Sequence, residues 1–188
     1  ANTERYTQVY ADKGKKGEPT RISDGKGFVK KYEGEKVDKV RVYLPVFPGT
    51  NCDYDTARAF ERAGAEVEIA VFKNLTGEDV LASIEEMATC IGRCHIMALS
   101  GGFSAGDEPD GSGKFIASVL NNAKITEAIH ALLDRGGLML GICNGFQALV
   151  KSGLLPYGRL GQVVKESPTL FRNDINRHIS QIVSTRVA

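Results

Sequence analysis

With 188 residues, of which 42% are hydrophobic and 25% charged, the chain has the composition of a globular protein and enough length for one α/β domain with a substantial core. Its formal net charge of +1 excludes a general attraction to nucleic acid or to anionic membranes, and no apolar run approaches the roughly 18 residues of a membrane span. The first residues lack the layout of a secretory signal, so we expect a soluble cytoplasmic protein whose four cysteines are thiols rather than a disulfide framework.

Residues 1–39 are rich in Lys, Glu and Gly and show neither a helical nor a strand period. We interpret them as a linker or N-terminal arm. Acidic residues alternate with the lysines, which favours a solvated connector over a phosphate-binding segment.

From Val40 onwards, strand-like and helix-like segments alternate. The predicted strands are VRVYLPVF, EVEIAVF, HIMALSG and GLMLGIC, and the predicted helices are DYDTARAFERAGA, GEDVLASIEEMA, KFIASVLNN, TEAIHALLDRG and NGFQALVKSG. Asp53 is placed to cap the first of these helices. The alternation predicts an α/β fold with a mainly parallel sheet covered on both faces by helices.

Residues 40–164 form the predicted core, and 165–188 are interpreted as the start of an incomplete C-terminal part of the same domain. Within that last segment ISQIVSTRV is strand-like, and no closing element follows it.

Three unusual loops follow predicted strands: FPGTNCD, SGGFSAGDE and GICNGF. Ligands of parallel sheets bind beside the loops at the carboxyl ends of the strands. We therefore expect the functional site where these three loops meet.

The segment GICNG has the form of a nucleophile elbow, in which a sharp strand-to-helix turn presents a reactive side chain. A Cβ at Gly141 or Gly145 is expected to collide with neighbouring chain. The helix that begins at Asn144 directs the positive end of its dipole at Cys143, which favours the reactive thiolate. The alternative is a buried structural cysteine that happens to precede a helix.

Attack by a thiolate on an acyl carbon needs hydrogen-bond donors for the oxyanion that forms. The N–H after the nucleophile, at Asn144, is one candidate, and the pair Gly101–Gly102 offers another. A glycine pair by itself is more typical of a simple turn, and its position at a strand end of the same sheet is what favours the donor.

None of the three histidines is a convincing general base. His95 opens a strand and His130 lies in an apolar-patterned helix, so both are interpreted as packing residues. His178 follows the elbow but has no acidic residue two places on. A metal site at Cys90, Cys94 and His95 is not favoured, because no second pair of ligands stands at a suitable spacing.

Taken together, LPVFPGTNCDYDTARAFERAGAEV, LSGGFSAGDEPDGSGKFIA and LMLGICNGFQALVKSGLLP resemble the glutaminase domain of the phosphoribosylformylglycinamidine synthases, within the class I glutamine amidotransferases. The resemblance runs from about Val40 to Gly161. It implies a flavodoxin-like three-layer fold. General class I amidotransferases share the glycine pair and the elbow, whereas the combination of GTNCD, GGFSAGDE and CNGFQ is more specific.

The resemblance implies that Cys143 attacks the side-chain amide of glutamine and that a glutamyl thioester is hydrolysed after ammonia leaves. It further implies that the ammonia passes to a synthetase domain of the same enzyme, which uses ATP and magnesium to amidinate formylglycinamide ribonucleotide in purine biosynthesis. No cofactor or metal is expected in the glutaminase domain itself.

By the same resemblance, the N–H groups of Gly102 and Asn144 form the oxyanion hole, and Phe103 and Gln147 contact glutamine. Asn51, Cys52 and Asp53 match a loop near the site, where Cys52 is assigned to shaping the loop rather than to reaction.

Two departures from the family pattern affect this interpretation. The His-x-Glu pair that the family carries downstream of its nucleophile does not occur before Ala188, so the chain is expected to be a fragment with very low or no glutaminase activity of its own. Ser100 also replaces the proline that many amidotransferases have before the glycines. Two alternatives stay open: a non-catalytic docking or regulatory module, and another cysteine hydrolase on the same scaffold.

Overall fold

The computed structural model describes residues 36–106, 113–170, 173, 175 and 177–183. The described residues between 36 and 179 belong to one compact unit. Most of the predicted N-terminal arm, 1–39, lies outside the described residues, and its role as a linker stays a prediction.

A four-stranded, all-parallel sheet organises the described chain, with the strand order β2-β1-β3-β4. The strands are β1 Arg41–Val46, β2 Glu66–Val71, β3 Ile96–Leu99 and β4 Leu138–Gly141. The helices are α1 Asp53–Arg62, α2 Gly77–Arg93, α3 Lys114–Leu120, α4 Ala123–Asp134, α5 Asn144–Ser152 and the short turn α6 Leu154–Tyr157. This order confirms the predicted α/β fold with a parallel sheet and helical crossovers.

The main hydrophobic core lies on the sheet face that carries Tyr43 of β1 and Met97 of β3. Side chains of α2, α3, α4 and α5 complete this core. Val42 and Leu44 are buried on the opposite face of β1, outside that cluster. Burial of both faces explains why β1 reads as a continuous apolar run rather than as an alternating one.

The predicted cap of α1 is wrong by one residue. Cys52 occupies the N-cap position without a side-chain cap bond, and Asp53 is the first helical residue. The reason is that the carbonyl of Cys52 already accepts the first helical bond, from the N–H of Thr56 at 3.1 Å. As an acidic residue in the first turn, Asp53 still complements the helix dipole.

Of the other boundaries that differ from the sequence prediction, two concern capping or cysteine residues. α2 continues beyond Ala88 to Arg93, so Cys90 is a buried helical residue and Cys94 ends the helix. α4 begins at Ala123, because the side chain of Asn122 accepts a hydrogen bond from the N–H of Lys124.

The strand predicted at ISQIVSTRV is not present in its described part. Residues 179–183 have no regular structure, and 184–187 lie outside the described residues. Within the described ranges, no helix has the length and apolar character required to cross a lipid bilayer.

Candidate active site at the carboxyl edge of the sheet

The three loops singled out in the sequence meet at one edge of the sheet, as predicted. Thr50, in the loop after β1, forms an antiparallel bridge with Gly102, in the loop after β3. The N–H of Asn51 donates to the carbonyl of Gly101 at 3.3 Å, and the N–H of Phe103 donates to the carbonyl of Gly49 at 2.8 Å. A Cβ built on Gly101 would lie 3.4 Å from the Cβ of Cys143, which places the loop after β4 beside the other two.

Cys143 occupies the strand-to-helix turn between β4 and α5. Its backbone has φ 52° and ψ −108°, a conformation that a residue with a side chain seldom adopts. Hydrogen bonds on both sides hold the turn: Gly145 N–H donates to the Ile142 carbonyl at 2.9 Å, and Gln147 N–H donates to the Cys143 carbonyl at 3.0 Å. Cys143 is exposed, so the alternative of a buried structural cysteine does not describe it.

The two glycines that flank the elbow make this tight turn sterically possible. A Cβ on Gly145 would lie 2.1 Å from the carbonyl oxygen of Leu99, and a Cβ on Gly141 would lie 2.8 Å from the backbone of Gly145. Real Cβ atoms essentially never approach backbone so closely. The collision expected from the sequence is therefore confirmed at both positions.

Gly102 presents a backbone donor at the same edge. In its bridge with Thr50 the two bonds are made by the neighbouring residues, so the N–H of Gly102 is directed away from the loop after β1. No described residue accepts a hydrogen bond from this N–H. A side chain at Gly102 is excluded, because its φ is 145° and a Cβ would lie 2.5 Å from the carbonyl oxygen of Gly49.

Asn144, the first residue of α5, ties the loop after β3 to the elbow. Its buried side chain accepts a hydrogen bond from the N–H of Ser104 at 3.2 Å and donates to Oε1 of Gln147 at 3.2 Å. The sequence predicted a role for the main chain of Asn144 but not this role for its side chain. Phe103, the neighbour of Ser104, is 62% exposed.

The loop after β1 contributes a second thiol close to the elbow. The sulfur of Cys52 would lie 3.5 Å from a Cβ on Gly101, the same atom that comes near Cys143. Its thiol donates to Oδ1 of Asn51 at 3.3 Å, and its carbonyl starts α1. These contacts favour the predicted role of Cys52 in shaping the loop.

The other two cysteines are buried away from this edge. Burial raises the pKa of the Cys90 thiol to about 11, with the charge of Glu68 adding to the effect. Burial also raises the pKa of the Cys94 thiol, whose sulfur donates to the carbonyl of Ile91 at 3.5 Å. Burial therefore disfavours the reactive thiolate at both positions.

Two of the three histidines bind backbone, as their interpretation as packing residues implies. Nδ1 of His95 accepts the N–H of Arg41 at 2.9 Å, and Nε2 of His130 accepts the N–H of Leu160 at 3.1 Å. His178 is exposed in a segment without regular structure.

Two buried hydroxyls at this edge were not predicted from the sequence as functional groups. Oγ of Ser100 and Oγ of Ser104 are buried, and neither has a hydrogen-bond partner in the described residues. The only sequence feature that pointed to either hydroxyl was Ser100, which replaces the proline that many amidotransferases have before the glycine pair.

Comparison with known proteins identifies the family to which this chain is similar. The family model of the CobB/CobQ-like glutamine amidotransferase domain matches residues 39–188. The phosphoribosylformylglycinamidine synthase subunit PurQ of Dehalococcoides mccartyi is 42% identical over 120 residues, which is 64% of this chain and 43% of that protein. The same subunit of Pyrobaculum aerophilum is 34% identical over 148 residues, which is 78% of this chain and 58% of that protein.

A solved structure, described as the structure of PurLQS from Thermotoga maritima, matches with a TM-score of 0.44 and 32% identity over 62% of this chain and 46% of that one. The matches to the two PurQ subunits span between 43% and 58% of those proteins. The family model covers most of the present chain, including all three loops. The chain therefore belongs to the CobB/CobQ-like glutamine amidotransferase family.

Proposed function

We propose that this chain is the glutamine-hydrolysing part of a phosphoribosylformylglycinamidine synthase. The sulfur of Cys143 bonds to the side-chain amide carbon of glutamine, the C–N bond breaks, and the proton of the thiol passes to the departing nitrogen, which leaves as ammonia. Water then attacks the glutamyl thioester, which releases glutamate and regenerates the thiol.

The observation that carries this proposal is the backbone of Cys143. A non-glycine residue at φ 52° is strained, and such strain persists where the surrounding structure enforces it at a functional site. Here hydrogen bonds from Gly145 and Gln147 hold the turn, and the result is an exposed thiol after a parallel strand.

The surrounding groups support acyl chemistry at that thiol. The N–H of Gly102 is directed away from its own bridge, and Asn144 begins the helix whose positive end faces the elbow. In the proposal the backbone N–H groups of Gly102 and Asn144 stabilise the oxyanion, while Phe103 and Gln147 contact the rest of glutamine. ATP and magnesium act in the synthetase part of the reaction, and no step at Cys143 uses them.

The similar proteins are named as subunits of phosphoribosylformylglycinamidine synthase, which supports a synthetase chain or domain as the partner that receives ammonia. In that role the carboxyl edge of the sheet delivers ammonia to the partner, which amidinates formylglycinamide ribonucleotide.

Labelling with a chloroketone analogue of glutamine tests the proposal. The wild-type chain should be alkylated at Cys143, at a rate that saturates with reagent and falls when glutamine competes. Cys143→Ala should abolish labelling, whereas Cys52→Ala, the matched removal of the other exposed thiol, should leave most of it.

The outcomes separate the proposal from its alternatives. Equal loss from both substitutions contradicts Cys143 as the nucleophile. A folded chain that ignores the reagent favours a non-catalytic docking module, and labelling without competition by glutamine favours another cysteine hydrolase.

A further inference from the structure

Three polar groups form a chain of hydrogen bonds from the loop after β3 to α5. The N–H of Ser104 donates to Oδ1 of Asn144 at 3.2 Å, and Nδ2 of Asn144 donates to Oε1 of Gln147 at 3.2 Å. Asn144 is 2% exposed, whereas Gln147 is half-buried. The chain of bonds therefore runs from a buried side chain to a half-buried one in the first turns of α5.

The direction of these bonds is determined at their buried end. A backbone N–H can only donate, so it requires the carbonyl oxygen of the Asn144 amide to face Ser104. The NH₂ group of Asn144 then faces Gln147, whose side-chain carbonyl oxygen must accept its hydrogen bond. The remaining end of the Gln147 amide, Nε2, is a donor, and none of the described residues accepts a hydrogen bond from it.

We propose that Asn144 is a positioning residue that sets the polarity of Gln147, so that the site presents an N–H donor and selects a ligand with an acceptor oxygen there. This inference rests on the proposed function, since glutamine offers such oxygens in its amide carbonyl and its carboxylate. Gln147 lies one helical turn after Cys143, whose carbonyl its N–H contacts at 3.0 Å, so the donor lies within reach of a ligand bound at the thiol.

Reversal of this polarity is the test. In Asn144→Asp the ionised side chain only accepts, so the N–H of Ser104 keeps its partner but Gln147 has to turn its NH₂ group inward and present oxygen to the ligand. We expect the chloroketone concentration that gives the half-maximal labelling rate to rise about tenfold or more. The reason is that the side-chain oxygen of Gln147 then faces an oxygen of the reagent, and neither can donate a hydrogen bond. Asn122→Asp, the same change at the cap of α4, is the matched control and should leave this concentration unchanged.

A double substitution separates polarity from a merely structural role. In Gln147→Met, which has no amide to orient, adding Asn144→Asp should change the half-maximal concentration by less than about twofold. The rate with methyl methanethiosulfonate, which carries neither an amide nor a carboxylate, monitors the reactivity of the thiol in every variant. Thermal unfolding shows whether each variant is folded.

Each outcome decides the inference. An unchanged half-maximal concentration in Asn144→Asp overturns it, and so does an equal rise in the Gln147→Met background. If Asn144→Asp does not fold, Gln147→Glu keeps the bond from Asn144 and presents an oxygen outward, so it must show the same rise; no rise overturns the inference. Failure of the wild-type chain to label in a saturable way instead contradicts the proposed function, and the inference falls with it.

Discussion

Substitution of Gly145 by alanine tests whether the elbow is held by direct contact between α5 and β3. The added Cβ would lie 2.1 Å from the carbonyl oxygen of Leu99 and 2.6 Å from its carbonyl carbon. Both atoms belong to a central strand of the sheet, so the backbone of α5 has to retreat by about 1 Å.

Two opposing contributions set the change in the free energy of unfolding: the steric cost of the added Cβ and the higher helix propensity of alanine. Forcing extra carbon into a packed interface costs about 3 kcal/mol at the upper end of the usual range, and alanine recovers about 1 kcal/mol over glycine inside a helix. The free energy of unfolding should therefore fall by about 2 kcal/mol, or about 4–8 °C in Tm for a chain of this size.

Urea unfolding of the two matched variants Gly145→Ala and Gly92→Ala measures this difference. Gly92 lies exposed in α2, and a Cβ there would meet nothing within 4 Å. The control should therefore be stabilised by about 0.5–1 kcal/mol. If both variants show the same change in stability, the close contact between the elbow and β3 is wrong.

Three further substitutions test other parts of the structure. Gly102→Ala should reduce the rate of chloroketone labelling at least about tenfold, because the added Cβ would displace the loop after β3 from Gly49. An unchanged rate would exclude the backbone N–H of Gly102 from the site. Thr76→Ala should cost about 1 kcal/mol in urea unfolding by removing the side-chain acceptor for the N–H of Asp79, and no loss would contradict the capping box. Burial raises the pKa of the folded Cys90 thiol from its ordinary 9.0 to about 11, so the free energy of unfolding should fall as pH rises through that interval, because only the unfolded thiol then loses its proton. In Cys90→Ala the fall should be less steep, and identical slopes would show that this thiol does not contribute.

The sheet and the elbow could be predicted because their signals are local. VRVYLPVF reads as a strand buried on both faces, and the spacing of Gly141, Cys143 and Gly145 reports a steric requirement that the structure bears out. The meeting of the three loops followed from a general property of parallel sheets rather than from any one residue.

The remaining features depend on contacts between distant residues. The side chain of Asn144 bonds Ser104, 40 residues earlier in the chain, and no local pattern indicates that bond. The cap of α1 depends on the backbone angles of Cys52, which composition does not specify. The strand predicted near Ile179 is absent from residues 179–183, because apolar alternation alone does not supply a neighbouring strand with which to pair.

A crystal structure of the covalent adduct with a glutamine-like chloroketone tests the central claim most directly. The account predicts a bond from the reagent to the sulfur of Cys143, with the keto oxygen about 3 Å from the N–H nitrogens of Gly102 and Asn144. An adduct on Cys143 whose oxygen points into solvent, or an adduct on Cys52 instead, would contradict it.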